Sequence, residues 1–401
     1  SSQANSFLLM DAEQSPLTPL ILWPDRRATA DPRLEALWSS ARFLATTGLG
    51  LGGSEFCVHK LAWFQRQRPD QWKACSRVLT ISDYLVHALA GVPAGDQGTA
   101  ALLGLFDLPA GRWWNLALQT AGVPPEKLSR PLAPGTVVGR TSAAAERLLG
   151  VPRGIPLAVG SLDHHVGAIG AGICSPDFPS ISIGTVVACV RYTNDFKPLP
   201  GCAMGPGTHG YPFYLLAFEE NGTGALDRYH REHCPGVPFS QMLQEAESVP
   251  VGSDGLMASP ATGGSPGSFQ GVQAKHTRRH FVRALIESTA VSVLAMIRKL
   301  YPGGLPPSVA VTGGGARSDI WMQVLADLSG IGLVVPACSE AACRGAAMMA
   351  AVAAGWFDCL AEVTTDWSSR SRVITPDPER HERYQTWLVE YCERTLKQAG
   401  F

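Results

Sequence analysis

The alternation of apolar and polar positions divides the chain into short strands and longer amphipathic helices. Residues 1–10 run from polar positions straight into an apolar stretch and read as the middle of a fold rather than a natural start. Residues 19–23 predict a short strand. Residues 31–95 read mainly as helix, with an amphipathic face at Lys60, Trp63 and Phe64 and an apolar helix over 81–90 stopped by Gly91. Trp113 and Trp114 read as core aromatics. Residues 157–172 open as a short apolar strand that Gly160 and Ser161 interrupt, which sets Asp163 beside His164 and His165. A second strand over 180–183 ends in Gly184 and Thr185. An apolar strand over 211–218 leads through a polar turn into a helix, and 250–272 is loop-rich. A long helix over 280–300 carries Val282, Leu285, Ile286, Val293 and Ile297 at helical spacing and reads as core support. A strand over 308–312, a glycine turn over 313–316 and a helix capped by Ser318 or Asp319 build a strand–helix–strand unit closed by 330–335. In the helix over 340–354, Gly345, Ala346 and Ala347 admit another backbone or a flat ring. An amphipathic helix over 379–397 presents Tyr384, Trp387, Leu388 and Tyr391 as a docking face.

Composition narrows the class. The 401 residues are 45% hydrophobic and 17% charged, enough for two or three domains with a sizeable core. A net charge of −1 offers no electrostatic argument for nucleic acid or an anionic membrane. The ten cysteines form no C-x-x-C pair and no Cys/His cluster at zinc spacing, so no protein-held metal is expected and free thiols in a reducing cytoplasm fit best. No apolar run reads as long enough to span a membrane, and no signal peptide opens the chain.

Three stretches carry candidate chemistry. Asp163 at a strand end among small residues suits a base where a ligand approaches backbone closely; it reads equally as a helix cap. The Gly184-Thr185 amides suit an anion-binding nest, or an ordinary glycine hairpin. The three glycines at 313–315 allow a ligand to lie against bare backbone near a helix start, or make a tight structural turn. Trp23, Asp25 and Arg27 can also bind a polyol, with a surface ion pair as the alternative.

Together these stretches resemble the F-G-G-Y family of carbohydrate kinases, most nearly its xylulokinase-like members. Gly267-Ser-Phe-Gln-Gly-Val272 followed by His280-Phe-Val-Arg-Ala-Leu-Ile-Glu287 fits the second family signature, and Gly313-Gly-Gly-Ala316 through Asp327 resembles the adenosine motif. Gly160-Ser-Leu-Asp163 resembles the strand end with the catalytic aspartate, Ser182-Ile-Gly-Thr185 the second phosphate loop, and Ile21-Leu-Trp-Pro-Asp-Arg-Arg27 the W-x-D-x-R segment. Ser2-Gln-Ala-Asn5 is similar to the sugar-binding turn, with Asn5 where xylulokinases usually have His. The first signature is imperfect around Glu55-Phe-Cys-Val-His-Lys60, and the loop before Gly267 lacks the usual G-E-R-T-P run. The D-x-G-T-T hairpin that holds phosphates and magnesium in the family does not precede Ser1.

The resemblance implies an α/β, two-domain actin/hexokinase-like (ribonuclease H-like) fold with a central cleft: a sugar-binding domain over 1–172 and an ATP-binding domain over 173–401. It implies transfer of the ATP γ-phosphoryl group to a hydroxyl of a small sugar, D-xylulose or a related ketopentose, hence a role in xylose metabolism in the cytoplasm. Asp163 is the implied catalytic base. Gln3, Ala4, Asn5, Asp25 and His164 are the implied sugar-binding residues; Gly184, Thr185, Gly271, Gly314, Gly315, Ala316 and Asp319 are those for ATP. Mg²⁺ would bind through phosphates and waters rather than protein ligands. The implied partners are the sugar and ATP, with no nucleic acid or membrane and with homodimerisation left open. A kinase of another polyol, sugar or sugar acid, a non-catalytic sugar or nucleotide sensor, and an actin-like ATPase or chaperone stay as alternatives.

Overall fold

The computed structural model describes residues 1–219, 221–260, 268–367 and 371–396. The chain divides into two compact units. The first is Ser1–Gly170 with Tyr192–Leu216 and Ala341–Ser368; the second is Ala171–Arg191, Ala217–Glu340 and Ser369–Phe401.

In the first unit, strand Phe7–Met10 is wholly buried and pairs antiparallel with Arg77–Thr80, Phe7 opposite Thr80. Residues 19–23 do not form the expected strand. Ile21 makes a single bridge to Phe7, and Trp23 and Pro24 turn away, because Pro24 cannot extend a ladder. Helices Pro32–Trp38, Ala41–Thr47, Cys57–Gln67, Pro69–Ala74 and Ile81–Ala90 fill the region read as helical. Gly91 ends the last of them at φ 73. Strand Pro156–Ala158 pairs antiparallel with Val137–Arg140. It is half-exposed rather than the buried strand that its apolar sequence suggested, since its pairing partner is itself a surface strand.

Helix Asp163–Ala171 follows, and it packs on helix Ala341–Ala353 through glycines. A Cβ on Gly345 would lie 1.9 Å from the Val166 carbonyl oxygen, and one on Gly170 would lie 1.8 Å from that of Ala341. The Ala- and Gly-rich helix is therefore shaped for backbone contact, the first of its two sequence readings.

The second unit is built on a sheet with strands Val187–Thr193, Ser180–Ile183, Ser308–Thr312, Gly332–Pro336 and Ser371–Ile374 side by side. Ser180–Ile183 runs parallel to Ser308–Thr312, which runs parallel to Gly332–Pro336; the flanking strands are antiparallel. Helix Arg278–Leu300 packs on Asp319–Ser329, which also receives Pro378–Tyr391. Tyr384, Trp387, Leu388 and Tyr391 are all buried, as the amphipathic pattern required. The remainder of that expected helix, from residue 397, lies outside the described residues.

Arg278–Leu300 corrects the reading that no apolar run is long enough to cross a membrane. By length and composition it is long enough, but 89% of its most apolar window is buried inside the protein. Its scattered Ser, Thr and Glu side chains hid the length from a scan for continuous apolar residues.

Candidate active site

Asp163 is the first residue of its helix, and its half-buried carboxylate accepts the His164 backbone N–H at 2.8 Å. Its own N–H donates to the Ser2 carbonyl at 3.1 Å, beside a parallel bridge from Ser2 to Leu162. The turn Ser2–Asn5 is thereby laid against the helix start. Within that turn, Gln3 Nε2 donates to Ser6 Oγ at 3.1 Å, and Ser6 Oγ accepts the Trp23 N–H at 2.9 Å. Asn5 sits at φ 56, a left-handed conformation that Asn tolerates better than most residues. Its Oδ1 accepts the Cys57 N–H at 3.0 Å, closing the start of helix Cys57–Gln67, whose own N-cap Phe56 offers no side-chain bond.

The W-x-D-x-R segment is anchored by a residue that the sequence pattern placed on an amphipathic face. Lys60 is 0% exposed, and its ammonium donates to the carbonyls of Leu22 at 2.9 Å and Trp23 at 2.8 Å. Burial lowers its pKa from the usual lysine value. The signal in the sequence was the imperfect first signature, which ends at Lys60. Asp25 takes a bidentate pair from Arg27, at 2.8 and 2.7 Å, and this hydrogen bonding holds its carboxyl below the usual range. Arg27 in turn lies over the Trp63 ring, 5.3 Å from its centroid. The ion pair read for this segment is present, and it sits on the turn that Lys60 and Ser6 fix. Burial lowers the pKa of His164, against the opposing charge of Asp163, and so favours the neutral imidazole.

The nucleotide candidates all fall in the second unit. Gly184 and Thr185 form the turn between strands Ser180–Ile183 and Val187–Thr193. The Gly184 N–H donates to the Val186 carbonyl at 3.1 Å, and its carbonyl accepts from Thr223 at 2.8 Å, so this amide already has a partner inside the turn. Thr185 is exposed. The glycine turn 313–316 lies at the same end of the adjacent parallel strand, with Thr312 in register with Ser182. Gly313 is at φ 89, and its Cβ would meet the Ile183 carbonyl at 2.5 Å; a Cβ on Gly315 would meet Ile183 Cγ2 at 2.5 Å. Gly314 is exposed, and its Cβ would meet nothing within 4 Å. Two of the three glycines thus serve packing, and the middle one leaves open space. Arg372 pairs with Asp319 and donates to the Ala316 carbonyl at 2.8 Å, tying the turn to the helix start.

Gly271 sits elsewhere in the unit, at φ 73, where a Cβ would lie 2.4 Å from the Gly255 carbonyl oxygen. The loop it leans on is held by Glu287, the acid that ends the second signature. Its buried carboxylate accepts from Gly252 N–H at 3.0 Å, Ser253 Oγ at 2.9 Å, Arg283 Nε at 3.1 Å and Tyr384 OH at 3.0 Å. Gly267, the first residue of that signature, lies outside the described residues.

One unit carries parallel strands ending in glycine turns, and the other seats an aspartate beside a polar turn. The chain belongs to the FGGY family of carbohydrate kinases: residues 1–170 match its N-terminal domain and residues 242–354 its C-terminal domain. It is 27% identical to xylulose kinase of Bacillus subtilis (strain 168), over 98% of this chain and 81% of that protein. It is 29% identical to autoinducer-2 kinase of Escherichia coli (strain K12), over 84% of this chain and 69% of that one. The crystal structure of xylulose kinase from Rhodospirillum rubrum superposes with a TM-score of 0.87 at 26% identity, covering 98% of this chain and 82% of the other. The two-domain, actin-like architecture of sugar kinases expected from the sequence is the one observed.

Proposed function

We propose that this chain transfers the γ-phosphoryl group of ATP to a hydroxyl of a small sugar, D-xylulose or a related ketopentose. The observation that carries the reading is the seat of Asp163, at a helix start whose backbone is bonded to the Ser2–Asn5 turn. Asp163 accepts the proton of the attacking hydroxyl as that oxygen bonds to the γ-phosphorus and the bond to the β-bridging oxygen breaks, releasing ADP. Gln3, Ala4, Asn5, Asp25 and His164 hold the sugar, and the Lys60-anchored turn fixes Asp25 in place for it. Thr185 and Gly184 meet phosphate oxygens. Gly314 faces the adenosine and Gly315 and Ala316 support it from the buried side of the same turn, with Asp319 nearby and Gly271 on the other side. Xylulose kinases among the relatives support the choice of a ketopentose.

FGGY kinases use a divalent metal with ATP. Among the described residues no three His, Cys, Asp or Glu side chains gather as a metal-ligand set. None of the roles assigned to these residues runs through a metal ion.

The test is an ATP-coupled panel of ketoses, aldoses, polyols, gluconate and autoinducer-2 on the full-length protein. We expect the highest kcat/KM with a ketopentose; a higher value with autoinducer-2 would transfer the substrate assignment to it. On the same protein, Asp163→Asn is expected to lower kcat about 10²–10⁴-fold with KM for ATP unchanged. A variant that melts lower yet turns over normally per folded molecule would make Asp163 a helix cap and nothing more.

A further inference from the structure

A chain of polar side chains, buried at Ser161, His165 and Tyr192 and half-buried at Thr208, His209 and Thr364, starts at the helix of Asp163 and is used by none of the proposed substrate contacts. His165, two residues after Asp163 and 0% exposed, sets Nδ1 2.9 Å from Oγ of Ser161, two residues before it and also 0% exposed. This side-chain bond spans the helix start, with Asp163 between its two ends in sequence. The other edge of the imidazole is anchored independently. Nε2 lies 3.3 Å from Tyr192 OH and 3.4 Å from Thr208 Oγ1. Tyr192 OH and Thr208 Oγ1 are 2.5 Å apart, and both reach His209 Nδ1, at 3.1 and 3.2 Å. His209 Nε2 ends the chain at Thr364 Oγ1, 3.3 Å away. The His165 ring also lies 4.3 Å from the Tyr214 ring, centroid to centroid.

Burial lowers the pKa of His165 to about 3 and that of His209 to about 4, so both rings stay neutral near pH 7 with one donor and one acceptor each. A buried network whose members are hydrogen-bonded to one another rigidifies its surroundings and fixes one arrangement of its side chains. Packing alone would be met by Leu or Phe. Ser161 Oγ also packs against Gly98, where a Cβ would lie 2.3 Å from it.

We infer that His165 is a positioning residue that fixes the Asp163 carboxylate through its bond to Ser161. The inference rests on the reading of Asp163 as the proton acceptor. A carboxylate at the first position of a helix can shift with the fraying of that turn, and a misplacement of about 1 Å costs on the order of 10²-fold in rate. Tying the residues on either side of it to a fixed ring removes that freedom.

The experiment is a double-mutant cycle in the full-length protein with the sugar that gives the highest kcat/KM. His165→Phe keeps ring volume and removes both nitrogens. We expect kcat to fall about 10- to 100-fold with KM for ATP unchanged, and His165→Asn, which can restore a partner near Ser161, to recover most of the loss. On an Asp163→Asn background the same His165→Phe change should cost less than about twofold, because the carboxylate it positions is gone. An unchanged kcat in His165→Phe overturns the inference. So does an undiminished loss on the Asp163→Asn background, which would mark a general packing role, and so does an Asn variant no better than Phe. Full turnover by Asp163→Asn alone would instead overturn the reading of Asp163 as the base, and this inference with it. If His165→Phe does not fold, Ser161→Ala carries the same cycle, since it leaves the ring and its Tyr192 and Thr208 partners in place.

Discussion

Lys60 shows how much a single side chain can decide. A buried ammonium bonded to two carbonyls forms charge-assisted hydrogen bonds, and removing it leaves both acceptors without it. Lys60→Met keeps the length and apolar stem but not the donor. We expect KM for the sugar to rise several-fold with KM for ATP unchanged, and the melting temperature to fall, as steady-state kinetics and thermal unfolding would show. An unchanged sugar KM would separate the turn at Trp23 from substrate binding. Asn5 is a similar case. Its sequence motif suggested a sugar reader, whereas the structure adds a backbone role, with a left-handed φ and a bond that starts a helix 52 residues away.

Among elements, the helix that begins at Asp163 is held between Val166 and Gly170 by contact with a glycine on another helix. Gly345→Ala would drive a methyl into the Val166 carbonyl, which is backbone and cannot rotate aside. Overpacking of this kind costs typically about 1–3 kcal/mol, and the helix must shift to relieve it. Denaturant unfolding should show the lost stability, and kcat should fall with it because Asp163 and Val166 share the helix; normal kcat at full folding would mean the helix start is insulated from that contact.

A second element-scale prediction concerns the capping box of helix Ile81–Ala90. Asp83 accepts the Thr80 N–H there, and burial, reinforced by nearby Asp96, pushes its carboxyl up to about 7. An unfolded Asp titrates near ~3.9. Between those values the folded protein holds a proton that the unfolded chain has released. This contribution to stability is therefore present at low pH and is lost as pH rises from about 4 through about 7. Asp83→Asn keeps an acceptor for Thr80 and cannot ionise. Melting temperatures of both proteins across pH 5–8 should converge at the acid end and separate at the alkaline end, the variant being higher; parallel curves would refute the assignment.

At the scale of the whole molecule, every sugar candidate falls in one compact unit and every nucleotide candidate in the other. Substitutions should therefore sort by unit. Gly314→Val adds bulk where a Cβ meets nothing, so folding should be retained while KM for ATP rises at least several-fold and KM for the sugar stays put. Gly315→Ala, one residue on, should instead lower the melting temperature, since its methyl would press on Ile183. Kinetics and unfolding measured on both variants check the pair. Equal ATP affinity in Gly314→Val and the parent would remove the glycine turn from nucleotide binding.

What the sequence determined by itself is what local periodicity and short motifs encode. The docking face of Tyr384 to Tyr391 and the stripe of the long helix follow from 3.6-residue spacing. The stop at Gly91 and the cap at Ser318 follow from backbone and side-chain chemistry within a few residues. The clustering of family motifs identified the class, because those motifs are contiguous. Tertiary structure alone decided what depends on distant residues. It set the bond from Asn5 to Cys57, the burial of Lys60 under a turn nearly forty residues earlier in the chain, and the relay from Ser161 to Thr364. It also decided which glycine of Gly313–Gly315 leaves open space, since that depends on where Ile183 lies in the neighbouring strand. Spacing along a chain reports which face a residue occupies. It carries no information about which distant atom waits on that face, backbone or side chain, and the contacts named here are made to such atoms.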